Sequence, residues 1–268
     1  MRIRANNILE HLLDDGFDFD KTIKEVDGLR QAYRQQNDTD NANTAWAIMT
    51  IVGIHRDYRM VFSRLQIKQY YDAWCLLERI EIDISFLLRN FPGTKGAVEY
   101  VEIMVKRLQS LFPYRLFIST VMVITERTCS ICGKKRSLRS HCGHYTGHVY
   151  AGELCCDEVQ KGELRGADIV TNPEHKYSVL FPGDENGQKD NYDYQLLDYL
   201  MGVWKDPYNP WHYVTIHTYK KPKEFPELND DSFCPCGSGK CYAECCKNNP
   251  KGIKHVVYEF RSGLHSSK

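Results

Sequence analysis

Two groups of cysteine and histidine residues carry the chemistry that the spelling of this chain comes closest to dictating. The first is Cys234–Cys246, CPCGSGKCYAECC, where a CxC pair at Cys234 and Cys236 is followed, eight residues on, by the adjacent pair Cys245 and Cys246. Four thiolates delivered by two tight turns suit a tetrahedral soft-metal site, with Zn²⁺ the first expectation and iron its redox-active competitor. Gly237 and Gly239 flank Ser238, so the loop can reach positive φ and turn backbone amides toward the sulfurs. So short a segment has almost no core of its own, and metal binding becomes its folding energy.

The second group begins with Cys129-Ser-Ile-Cys132-Gly133 and continues through Cys142-Gly143-His144 to Cys155-Cys156. A C-x2-C-G at the end of a β-rich stretch has the spacing of a zinc knuckle, the glycine letting the turn close on the metal. Cys142 and His144 are the expected other half, giving three cysteine ligands and one histidine; Cys155 is the alternative ligand. Ligand candidates exceed four, which favours a closed structural site over a catalytic one with an open position. Lys134, Lys135, Arg136 and Arg139 cluster on the same loop, as a solvated turn or as a phosphate-contacting surface for nucleic acid.

The C-terminal string resembles the SEC-C motif, CxC-x8-CC with PCGSGK in its middle, found at the end of the bacterial preprotein-translocase motor ATPase and on many otherwise unrelated bacterial proteins. That resemblance covers only the C-terminal part of the chain. It implies a zinc-binding appendage that docks on a protein or ribonucleoprotein partner and is not a catalytic centre. The position after Lys240, often lysine in the family, is Cys241 here. The stretch from His141 to Cys155 is similar to a pattern that follows CxxCG in some bacterial and phage proteins, and that likeness carries no activity with it.

The elements that must position these residues change character along the chain. Up to about residue 110 the pattern is helical, with stripes at Ile23, Val26, Leu29 and Tyr33, then at Trp46, Met49 and Val52, and then Val98, Val101, Met104, Val105 and Leu108. The polar run 35–44 reads as a connection. From 65 to 90 the apolar residues Ile67, Tyr70, Trp74, Leu77, Ile84 and Leu87 recur as on a buried helix, and Glu81 interrupts that face. Its carboxylate needs a partner such as Arg56, Arg59, Lys106 or Arg107, or else serves a site.

Past Pro92-Gly93 and one further helix, 116–125 turns β-rich, and strands are expected at 167–171, 177–181, 211–219 and 253–260, with a helix at 192–204. The charged segment 220–232 reads as a linker. These features predict an α+β protein with a helical domain at 1–115, a zinc-finger α+β domain at 116–222, and a linker with its C-terminal zinc knuckle at 223–268.

Formal net charge is zero, which argues against a wholly basic nucleic-acid binder. No stretch is apolar enough to span a bilayer and the start lacks the apolar core of a signal peptide. All cysteines but Cys75 lie between 129 and 246, mostly at metal-ligand spacing, which fits a reducing, cytoplasmic compartment. Arg4…His11 and Arg136…His141 meet the loose Arg-x4–6-His spacing of HEPN ribonucleases. The first has Ala5 where a polar residue is usual and the second lies inside the finger, so neither is taken as a site. The expectation is a non-catalytic adaptor with two structural zinc sites. Its rival is an RNase-like or other hydrolytic effector of phage defence, with Glu81 as the candidate catalytic carboxylate of a helical domain that the zinc modules target.

Overall fold

The structure, a computed structural model, describes residues 8–14, 16–137, 139, 141–181, 183, 190–238 and 240–263. Arg4, Gly239 and most of the 183–187 loop lie outside the described residues. The chain divides into two compact units, 1–201 and 202–268.

In the first unit, helix α1 (Phe19–Gln35) opens on Asp18, whose side chain accepts from the Lys21 amide at 2.9 Å. Helix α2 (Thr39–Gln66) begins six residues before the expected start. Asp38 caps it through the Asn41 amide, and Asn37 at φ 55° makes the whole turn, so the polar run supplies a cap where a connection was expected. Lys68 at φ 59° then separates α2 from α3 (Tyr70–Asn90), which splits the long 65–90 pattern at its start. A single 3-10 turn at Pro92–Thr94 leads into α4 (Lys95–Leu111).

Helix α2 is buried along most of its length, from Ala42 through Ile51, Ile54 and Tyr58 to Leu65. A helix apolar on most of its circumference sits at the centre of its bundle. Leu77, Ile80 and Leu87 of α3 and Met104 and Leu108 of α4 complete a fully buried core. Trp74 extends it, its ring lying 5.0 Å from Phe112, 5.1 Å from Tyr114 and 6.3 Å from Phe117.

Charges in this bundle are held in place. Asp57 is buried beside Arg56 (2.9 Å) and Arg79 (3.4 Å). Burial, and then the Asp57 charge, raises the Asp83 carboxyl from its ordinary 3.8 to about 6. A carboxyl raised on folding destabilises the folded state only where it is ionised. That cost is absent below pH 4 and complete above about pH 6. Asp83→Asn is therefore expected to stabilise the protein by about 1–2 kcal/mol at pH 7.5, a rise of several degrees in Tm. The gain should vanish at pH 4; thermal melts at the two pH values check it.

After α4 come strands β1 (Phe117–Cys129), β2 (Val149–Tyr150), β3 (Glu153–Leu154) and β4 (Asp157–Val170). β1 and β4 form a long antiparallel ribbon and β2 pairs with β3. The expected strand at 167–171 is thus the end of a longer one, whose first part, DEVQKGELRG, is too charged to read as β. Around Tyr177–Phe181 the described residues hold one isolated bridge, Phe117 to Val179, in place of the expected strand. Helix α5 (Gln195–Val203) follows, and the first unit ends within it, at Met201.

In the second unit β5 (Trp211–Lys220) pairs antiparallel with β6 (Ile253–Ser262) in continuous register, Trp211 opposite Ser262 and Lys220 opposite Ile253. Segment 220–232, expected as a linker, contains a 3-10 turn at Pro222–Glu224. Its Phe225 and Leu228 pack on a small core of Cys234, Tyr242, Cys246 and Ile253. The architecture is mixed α and β, with the helices N-terminal and the cysteine clusters in the middle and C-terminal regions. Among the described residues no helix is long and apolar enough to cross a membrane.

Candidate metal centres

Strand β1 ends on Cys129, and the turn after it is a tight knuckle. The Gly133 amide donates to the Cys129 carbonyl (2.8 Å), the Cys129 amide donates to Lys134 (2.9 Å), and Gly133 sits at φ +69°. The second half arrives from the 141–147 loop, where Gly143 has φ +89°. Together they bring the donor atoms of Cys129, Cys132, Cys142 and His144 within 4.8 Å of one another. His144 Nδ1 lies 3.8 Å from Cys129 Sγ.

Cys155 is fully buried with its sulfur 3.8 Å from that of Cys129, so a fifth donor borders the same space. Arg136 reaches both this sulfur and one of the four donors. That guanidinium donates to Cys155 Sγ (3.1 Å), to Cys142 Sγ (3.4 Å) and to the His144 carbonyl (2.5 Å), and it pairs with Asp157 (3.0 Å). Arg136 was expected on a solvated basic loop. It is instead turned in among the sulfurs, its side chain 10% exposed. Lys135 pairs with Glu126 at 3.3 Å. A cation here offsets negative charge that several thiolates would bring to one ion, and the spelling KKR conceals which of three basic residues does so.

The finger is held on the helices by polar side chains that periodicity does not reveal. Asn90 donates to the Gly147 carbonyl (2.9 Å) and accepts from the Val149 amide (3.0 Å). Asn43 accepts from the Gly152 amide (2.6 Å), Arg30 donates to the Gly152 carbonyl (2.7 Å), and Arg34 pairs with Glu153. Gly152 has φ +76°, and a Cβ there would lie 2.9 Å from the Ala42 carbonyl oxygen, so only glycine allows so close an approach.

At the other cluster, Cys234, Cys236, Cys245 and Cys246 also place their sulfurs within 4.8 Å of one another. Cys236 and Cys245 are 3.4 Å apart, Cys245 and Cys246 3.8 Å. The turn closes through the Gly237 amide on the Cys234 carbonyl (3.1 Å) with Gly237 at φ +75°, and the Cys234 amide donates to Lys240 (2.8 Å). Ser238 Oγ lies 3.1 Å from Cys245 Sγ. Cys241 stands outside the set of four, half-buried, where its residue bridges to Phe233.

These separations suit a metal. Sulfurs about 2.3 Å from a tetrahedral ion stand roughly 3.8 Å from each other, and every cysteine in the chain is a free thiol. The ionisation of the donors points the same way. Burial opposes ionisation of Cys129, but the amides of Cys132 and Ile131 and the neighbouring thiols draw it down to about 6. Ser238, with help from the sulfurs around it, does the same for Cys236, also to about 6. For Cys246 the Lys254 amide favours the thiolate, but burial and the neighbouring sulfurs push it up to about 12. One thiolate per cluster forms readily and the next is resisted by like charge, a conflict that a divalent cation removes.

Glu81 finds a partner other than the four named from sequence. Its carboxylate pairs with Lys176 and accepts from Gln109 Nε2 (3.0 Å). The Lys176 backbone is also fixed, its amide donating to buried Glu78 (2.7 Å) and its carbonyl accepting from Trp74 Nε1 (2.6 Å). Although burial opposes it, Lys176 and Gln109 hold the Glu81 carboxyl below its ordinary range. A lysine so far along the chain, in a segment with no periodic pattern, leaves no local signal.

Fold and sites thus define a mixed helix and sheet protein with two Cys/His clusters that could each hold a metal ion. Comparison with protein-family models, with curated proteins and with solved structures finds no match to this chain.

Proposed function

We propose that the protein is a zinc-binding cytosolic adaptor whose two metal centres are structural and whose C-terminal, SEC-C-like knuckle docks on a protein or ribonucleoprotein partner. The observation that carries this reading is that each cluster supplies four soft donors within 4.8 Å, enough to close a tetrahedral site and leave no position for a substrate. Support for docking comes from the knuckle's own surface. Phe233 is 79% exposed, and a hollow that reaches its neighbour Ser232 is lined by Phe225, Pro226, Leu228 and Pro235, with Glu224 and Glu227 also in its wall. An exposed aromatic next to a hollow with apolar walls and a polar rim has the make-up of a protein-interaction patch. Glu81, bound through one carboxylate oxygen by Lys176 and Gln109, fits the structural ion pair of this account.

The experiment compares what co-purifies from cells with the wild-type chain and with Phe233→Asp, a change at an exposed site that leaves the four donors in place. The adaptor reading expects a stoichiometric partner on the wild type that is lost from the variant and from chelated protein. The same partner retained in both would contradict it.

A further inference from the structure

Beyond its root the ribbon of β1 and β4 is exposed on both faces, and one of the two is apolar. At its root Phe117 is buried against Trp74, so the alternate residues Ile118, Thr120, Met122 and Ile124 lie on the opposite face. Their partners across the ladder are Ile169, Ala167, Leu164 and Gly162. The register shift between Val121 and Met122 passes over Arg165 and so keeps Leu164 opposite Met122. Gly162 completes the surface, since a Cβ there would meet Met122 Sδ at 3.1 Å and displace it. Between Ile118 and Ile124 this face holds no charged residue. The other face, exposed as well, pairs Ser119 with Asp168, Val121 with Gly166 and Val123 with Glu163, and so mixes apolar, polar and charged side chains.

All five large apolar residues of the uncharged face, Ile118, Met122, Ile124, Leu164 and Ile169, are between 38 and 64% exposed. A two-stranded ribbon is marginal in water, and one that exposes such a face along its length is incomplete as a monomer. β1 also lacks the lysine or proline that usually blunts an exposed strand over 117–125.

We propose that this face is a homodimer interface, in which the ribbon of one copy stacks on that of a second copy about a two-fold axis. Three features favour a second copy over a foreign partner. The face has no charge that would need a complementary charge opposite, so it matches itself. Formal net charge is zero, and two copies meet no long-range repulsion. Five large apolar side chains left 38 to 64% exposed supply the apolar centre that a specific interface of roughly 1,200 Å² in total is built around. Stacked ribbons would lie about 10 Å apart, as packed sheets do.

Sedimentation equilibrium or light scattering on the zinc-loaded full chain tests this. The expected mass is twice the 31.2 kDa of the chain, falling to that of one chain in Met122→Lys/Leu164→Lys. Val123→Lys, on the other face, should remain dimeric. Both changes are at exposed positions, and an unchanged circular dichroism spectrum and zinc content establish that the variant is folded. A wild-type chain that is monomeric over a wide concentration range overturns the proposal, as does a dimer that persists in the folded double variant.

Discussion

Chelation of the metal is expected to unfold the 202–268 unit while the helical circular dichroism signal of the rest of the chain persists. The buried core of the knuckle consists of Cys234, Tyr242, Cys246 and Ile253, and two of those four are donors. Removing the ion leaves four sulfurs crowded within 4.8 Å with nothing to neutralise them. What remains is the β5–β6 hairpin with Trp204, Trp211 and Phe260 packed at one end, and a two-stranded hairpin with so small a core is marginal in water. Zinc bound by four such ligands supplies on the order of 10 kcal/mol, more than a unit of this size otherwise holds. Limited proteolysis should then cut the chain within 202–268 and spare α1 to α4. Cys234→Ser should reproduce the effect without chelator. Cys241→Ser, at a thiol outside the set of four, should not. A tail that stays protected after complete metal removal would show that the sulfurs are packing residues only.

Trp74→Ala is expected to be the most damaging single change in the helical bundle. The indole is buried, touches Phe112, Tyr114 and Phe117, and donates to the Lys176 carbonyl. It therefore joins α3, the root of the ribbon and the segment carrying the partner of Glu81. Truncating a buried tryptophan costs about 3–5 kcal/mol, which lowers Tm by roughly 10 °C or more in a unit of this length. Trp74→Phe keeps the ring contacts and loses the hydrogen bond to Lys176, so its cost should be about 1–2 kcal/mol. Equal costs for the two variants in thermal melts would refute the role given to the aromatic contacts.

How much of this was legible in the sequence depends on the range over which each feature is specified. The helices were readable because burial on one face imposes a 3.6-residue period, which Trp74, Leu77, Ile84 and Leu87 display. Their boundaries were not, because the start of α2 rests on the Asp38 cap and the break before α3 on the backbone of Lys68. That the four residues of each set come together was legible because residues able to share one ion must be delivered by tight turns of fixed length. The surroundings of Arg136 and Lys176 were not, for the opposite reason. Each is defined by contacts with groups distant in the chain, and a basic residue in a loop carries no mark of what it faces. The first part of β4 was hidden because both of its faces are exposed, so its charged residues do not alternate with buried apolar ones and the stretch resembles a loop in composition.

The central claim is that both clusters are metal centres, and the metal content of freshly purified, chelator-free protein tests it most directly. The account predicts two zinc ions per chain, one for Cys129, Cys132, Cys142 and His144 and one for Cys234, Cys236, Cys245 and Cys246. Cys234→Ser and Cys129→Ser should each lower that content by one. Fewer than one ion per wild-type chain would contradict it.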